Sequence, residues 1–168
     1  MRRTRSKTHS AAGKPRESAS NKPSRRDPYA PKGKLAEPAV CGKCGLVYRG
    51  GRWVRSRSAA TGKRVTCPSC KRVADRYPAG IVTLSGPYLK EHREEIEHLI
   101  RHVEQREQRY HPLKRVMALR ATRGGLEVTT TDAKLARNIG VALRRAHRGE
   151  LDYDWTAVES VMRVTWSR

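Results

Sequence analysis

Several features that commonly mark an enzyme are missing from this 168-residue chain. It has no glycine-rich phosphate loop and no nucleophile elbow, and no pair of carboxylates stands in an apolar setting. No apolar run approaches the 18 residues that a bilayer crossing requires, so neither a span nor a membrane partner is expected. No Val, Ile, Leu or Trp occurs before Leu35. Acidic residues are scarce, with 16 Asp and Glu against 37 Lys and Arg. Cysteines number four, and all fall in one pattern that leaves none spare as a nucleophile. The chain reads as non-enzymatic, with no small-molecule substrate.

The four cysteines form two pairs, Cys41-Gly-Lys-Cys44 and Cys67-Pro-Ser-Cys70, separated by 22 residues. Each C-x₂-C places two thiolates on a tight knuckle, and two knuckles can close a tetrahedron around one Zn²⁺. Gly45 after the first pair and the rigid Pro68 within the second suit that geometry. Disulfides belong to small secreted frameworks, and no signal peptide is evident here. A redox dithiol would explain one pair and leave the other over. Four protein thiolates leave no coordination position for water, so the ion is expected to be structural. Its binding free energy, about 10–16 kcal/mol in small zinc domains, would stand in for a core this segment cannot build.

Charge is unevenly spread. Residues 1–40 carry a net +8, residues 41–80 a net +9, residues 81–110 a net −1 and residues 111–168 a net +5, totalling +21. One-sided charge of this size implies a polyanionic partner. Residues 1–40 cannot bury enough apolar surface to offset their ordering entropy, and are expected to be a disordered basic arm. Arg2, Arg3, Arg5, Arg25 and Arg26 would give it contact with nucleic acid; the plainer alternative is a solubilising tail. An organelle transit peptide needs an amphipathic apolar face, which Met1-Arg-Arg-Thr-Arg-Ser-Lys7 does not offer, so a cytoplasmic location is expected.

Residues 41–80 read as the zinc ribbon. Within it, Leu46-Val-Tyr-Arg and Arg52-Trp-Val flank Gly50-Gly51, a two-residue turn that tolerates positive φ, and so predict a hairpin. The hairpin would expose Arg49, Arg52, Arg55 and Arg57 with Tyr48 and Trp53, while Lys63, Arg64, Lys71 and Arg72 continue the basic surface. Guanidinium groups bind phosphate bidentately, and an exposed ring can stack on an unpaired base. Trp53 has a second reading, as a ring packed over the small core of the zinc module.

Residues 81–111 read as a short strand or connector, Ile81–Gly86, followed by one long amphipathic helix from Pro87 to about Tyr110. Leu89, Ile96, Leu99, Ile100, Val103 and Tyr110 form its apolar stripe. His98 and His102 lie at i,i+4 but project opposite that stripe among Glu and Arg, and read as a solvated face rather than a metal site. Residues 112–168 predict a small antiparallel ββαββ domain, with hairpins around Gly124-Gly125 and between Leu151–Trp155 and Val161–Trp166. Its helix is capped by Asp132 and stops near Gly149. Arg137, Arg144, Arg145 and Arg148 on that helix either touch phosphate or form a solvated face. The fold class is therefore α+β.

From Cys41 onward the chain resembles a family of small bacterial zinc-ribbon proteins of uncharacterised function. The resemblance rests on Cys67-Pro-x-Cys70, Tyr77-Pro-Ala-Gly80, Val82-Thr-Leu-Ser-Gly-Pro87, His111-Pro-Leu-Lys-Arg115 and Val128-Thr-Thr-Thr-Asp132-x-x-Leu-Ala-Arg137-x-Ile-Gly140. That family is distantly similar to the zinc-bearing N-terminal part of the archaeal and eukaryotic adaptor that escorts the large ribosomal subunit. The shared features here are Gly125-Leu-Glu-Val128 and Ala136-Arg137. The chain has two C-x-x-C pairs only and lacks the adaptor's later domains, so an export role does not follow. The resemblance implies affinity for ribosomal RNA.

The expectation is a ribosome- or rRNA-binding factor, engaged under stress, in hibernation or at low translation rates, with ribosomal proteins as further partners. The alternative is a DNA-binding transcriptional or nucleoid-associated protein, since duplex DNA and RNA both bind basic surfaces through phosphate. The sequence shows no basic recognition helix suited to the major groove. A metal-dependent hydrolase would need an open coordination position, which four thiolates do not provide.

Overall fold

A computed structural model describes residues 27–29, 33, 35–56, 61–156 and 160–168. Of the basic arm expected over residues 1–40, residues 1–26, 30–32 and 34 lie outside them, as does Arg57. The described chain builds two sheets, each with its own hydrophobic cluster.

The first sheet belongs to the ribbon. Strands β1 (Ala39–Cys41), β2 (Val47–Arg49), β3 (Arg52–Val54) and β4 (Lys63–Val65) lie in the order β3-β2-β1-β4, with β4 parallel to β1 and the other pairs antiparallel. The expected hairpin is present. Gly50 and Gly51 both take positive φ, 58° and 73°, the turn geometry whose twist matches that of its strands. The Glu37 carboxylate accepts both turn N–H groups at 2.7 and 3.0 Å, so residues ahead of Cys41 belong to the ribbon's structure. Helix α1 (Pro68–Asp75) follows, starting inside the second cysteine pair.

The second sheet contains β5 (Gly80–Ser85), β6 (Val116–Thr122), β7 (Gly125–Thr130), β8 (Glu150–Thr156) and β9 (Val161–Ser167) in the order β6-β7-β5-β9-β8. Both expected hairpins form, β6–β7 and β8–β9. The ββαββ layout as a separate unit does not hold. The segment read as a connector, β5, is the central strand, inserted between the hairpins, antiparallel to β7 and parallel to β9. Its Val82 and Leu84 are fully buried, and this apolar content draws it to the middle of the sheet.

The long helix is also broken. Helix α2 (Pro87–Glu91) stops at His92, whose φ of −114° leaves the helical range, and α3 (Arg93–Gln108) resumes. Hydrogen bonds from His92 N to Tyr88 O and from Ile96 N to His92 O continue through the break. The His92 ring stacks on Tyr88 with centroids 3.9 Å apart, so a side-chain contact accompanies the kink. Helix α4 (Ala133–His147) starts as expected, with Asp132 Oδ1 accepting from Leu135 N at 2.9 Å.

Helices α3 and α4 cover one face of the second sheet. Ile96, Ile100 and Val103 from α3 meet Leu135, Ile139 and Leu143 from α4 over Val82, Leu84, Leu126, Val128, Val164 and Trp166. Gly140 lets α4 approach closely: a Cβ there would lie 2.6 Å from Val164 Cγ1. The outer face carries Thr83, Arg120, Asp152, Arg163 and Thr165, polar and of mixed charge. No helix among the described residues is long and apolar enough to cross a membrane.

Candidate metal centre

Cys41 and Cys44 sit on a turn that closes when Gly45 N donates to Cys41 O at 2.9 Å and Cys41 N donates to Leu46 O at 2.8 Å. Gly45, at φ 72°, supplies the left-handed residue this turn needs. Cys67 is the N-cap of α1 and Cys70 lies in its first turn, with Pro68 at N1 where its missing N–H costs nothing. The i,i+3 spacing at a helix start places both sulfurs on one side. A helix N-terminus also favours negative charge, which suits thiolates.

The four Sγ atoms lie within 4.8 Å of one another, and none is joined in a disulfide. Cys44 and Cys67 sulfurs stand 3.7 Å apart. Cys67 N donates to Cys41 Sγ at 3.4 Å and Cys70 N to Cys67 Sγ at 3.5 Å. Burial pushes the Cys41 thiol up, but the N–H groups of Cys67, Lys43 and Cys44 outweigh it and hold the group down at about 6. Cys67 is pushed upward, first by burial and further by the charges of Cys44 and Cys70 beside it. Cys70 is raised by burial as well. Four sulfurs this close cannot all carry charge unless a cation sits among them. The donor set therefore fits a metal ion, and among the described residues no other cluster of three or more His, Cys, Asp or Glu does. His98 and His102 are exposed on α3 with no third ligand.

The cluster is roofed by the ribbon's core: Ala39, Leu46, Tyr48 and Trp53, with Leu113 reaching in from the segment before β6. That segment also binds the ribbon through polar groups. Ser69 Oγ donates to the Leu113 carbonyl, which accepts from Thr131 Oγ1 at 2.7 Å as well. Arg115 Nη1 donates to Cys70 Sγ at 3.7 Å. The spacing of the cysteines gave no hint of Arg115, which lies 45 residues beyond Cys70 and meets it only through the fold.

The basic residues expected to bind nucleic acid separate into three groups. Arg49, Arg52, Arg55, Lys63, Arg64 and Lys71 are exposed. Arg49 and Arg52 flank the hairpin turn at one edge of the ribbon sheet, and Lys63 and Arg64 occupy the opposite edge strand, so they rim the ribbon rather than converge. Arg72 and Trp53 are not on the surface at all. Arg72 is only 4% exposed: its guanidinium pairs with Asp27, donates to Tyr77 O at 3.3 Å and lies 4.4 Å over the Tyr29 ring. Trp53 is 7% exposed and packs against Tyr48 with centroids 5.5 Å apart, so the ribbon-core reading of this ring is the one realised. Arg2, Arg3, Arg5, Arg25, Arg26 and Arg57 lie outside the described residues.

No protein-family model matches the chain, and no curated protein or solved structure matches it either.

Proposed function

We propose that this is a zinc-ribbon protein that binds ribosomal RNA, with one structural Zn²⁺ held by Cys41, Cys44, Cys67 and Cys70. A tetrahedron of 2.3 Å Zn–S bonds has edges of about 3.8 Å, and the Cys44–Cys67 separation of 3.7 Å agrees with such an edge. The ion would close the ribbon's fold and neutralise its thiolates; with four protein ligands it would offer no position for a reacting group.

The observation that carries the reading is the ribbon's division of labour. Its interior holds thiolates and aromatic rings, while Arg49, Arg52, Arg55, Lys63, Arg64 and Lys71 point to solvent. Together with the +17 of residues 1–80, this makes a module built to meet phosphate. RNA is favoured over duplex DNA because α1, the ribbon's one helix among the described residues, has eight residues and turns Arg72 inward. That is a poor recognition helix for a major groove. The setting we propose is cytoplasmic, on a ribosomal particle under stress or low translation, with ribosomal proteins as secondary contacts.

Sucrose-gradient sedimentation of tagged protein from growing and starved cells tests this. Co-migration with a ribosomal particle that survives moderate salt is expected, and the triple change R49E, R52E and R55E should abolish it while zinc content stays at one per chain. Recovery only at the top of the gradient in both states would reject the ribosomal reading.

A further inference from the structure

We infer that Tyr110, with Arg106 and Arg109, forms a stacking site for an unpaired RNA base at the end of α3. This rests on the RNA reading above and deepens it.

Helical spacing from Val103 puts Tyr110 on the apolar stripe, yet it is 81% exposed, more than any other large hydrophobic side chain described. The cause is local. Helix α3 ends at Gln108, and the N–H groups of Tyr110 and His111 both turn back to Glu107 O, at 3.3 and 2.9 Å. Pro112 then prevents the helix from continuing. The ring is carried off the core and into solvent, where neither it nor its hydroxyl has a partner among the described residues.

The charges around it are arranged one way. Both nearby acids turn inward and are occupied. Glu104 accepts from Val116 N at 2.7 Å and Gln108 Nε2 at 3.0 Å, and pairs with Arg101. Glu107 pairs with Lys114 at 2.6 Å and accepts from Asn138 at 3.0 Å. Arg106 and Arg109 are exposed with no carboxylate partner among the described residues. Arg55, just after β3, reaches the last turn of the same helix, donating to Gln108 Oε1 at 2.6 Å. An exposed ring with an exposed arginine one helical turn before it, Arg106, and another next to it in the chain, Arg109, matches the chemistry of an unstacked base between two phosphates. A base inside a duplex presents no free face, so the occupant is single-stranded. With Trp53 buried, Tyr110 is the most exposed tyrosine or tryptophan among the described residues, ahead of Tyr77 at 39%.

The test is fluorescence anisotropy with the zinc-loaded full chain, a stem-loop RNA with an open loop, and a fully paired RNA of equal length, over about 50–200 mM salt. Tyr110→Ala should weaken loop binding by about 5- to 150-fold with the salt slope unchanged, as expected for loss of one stacked base. Tyr110→Phe should bind like the parent, and paired RNA should not distinguish the three. A Tyr110→Ala protein that binds loop RNA as the parent does would overturn the stacking site while leaving the RNA reading intact. A single-stranded DNA of the same sequence bound equally by the parent would overturn the assignment to RNA. A parent that binds neither RNA would sink both proposals.

Discussion

Arg115 Nη1 lies 3.7 Å from Cys70 Sγ, placing a half-buried guanidinium from the second sheet's side of the molecule against the ribbon's thiolates. Burial alone would lower the guanidinium's pKa, but the thiolates of Cys44, Cys67 and Cys70 raise it, so the arginine stays charged beside them. Four thiolates around a divalent ion leave a surplus of negative charge, and Arg115 is placed to offset it. Groups behind metal ligands commonly change affinity by about 10- to 100-fold. Arg115→Met is therefore expected to lower metal affinity by about tenfold or more in a chelator competition. Arg115→Lys should restore only part of it, because an ammonium cannot reproduce the planar fork. Equal affinity in all three proteins would show that Arg115 only packs there.

Removing the metal should affect the two sheets unequally. The ribbon's buried cluster is small and three of its seven buried members are cysteines, whereas the second sheet packs Trp166, Leu84 and Leu126 against Ile96 and Ile139 of two helices. A strong chelator is expected to unfold residues 35–79 while strands β5–β9 persist. Amide hydrogen exchange checks this directly. Protection should vanish at Val47–Val54 and remain at Val82, Val128 and Val164. Loss of protection everywhere would mean the two clusters unfold as one.

Much of this architecture was legible because its signals are local. Gly50-Gly51 demands positive φ, Asp132 is a strong cap, and two C-x₂-C pairs are short-range geometry. What escaped depends on contacts distant in sequence. Nothing near Ile81–Ser85 says that it pairs with both β7 and β9, because strand order is decided by which buried faces fit together. The kink at His92 accompanies a stack on Tyr88, which in turn touches His147 and lies beneath Arg168, residues far along the chain. Arg72 looked like its basic neighbours, and Asp27, 45 residues earlier, holds it inward together with the Tyr29 ring and the Tyr77 carbonyl.

Arg72 and Arg52 should accordingly behave as opposites. Arg72 is enclosed by Asp27, Tyr29 and the Tyr77 carbonyl, so Arg72→Gln removes packing and hydrogen bonds. It is expected to destabilise the ribbon by about 1–3 kcal/mol in chemical denaturation without changing the salt dependence of RNA binding. Arg52→Gln is exposed and should leave stability within about 0.5 kcal/mol, yet reduce the salt slope by about one ion. A drop in salt slope with Arg72→Gln at full stability would contradict the buried role.

Acid stability offers a further check, through Glu107. A hydrogen bond from Lys114 holds this carboxyl below its ordinary value of 4.5, against a burial effect that raises it, with the Lys114 charge and Asn138 adding to the lowering. A carboxylate whose folded-state pKa is depressed contributes stability above its unfolded pKa, and that contribution is lost as pH falls through the folded one. The parent should therefore lose stability on acidification below about pH 4.5 more steeply than Glu107→Gln, which keeps the Asn138 contact but has no charge to lose. At pH 7 Glu107→Gln should be the less stable of the two, because Lys114 is then left without its carboxylate. Urea midpoints at a series of pH values measure both. Parallel stability curves for the two proteins from neutral pH downward would mean that the Glu107–Lys114 pair contributes nothing to holding α3 against the turn before β6.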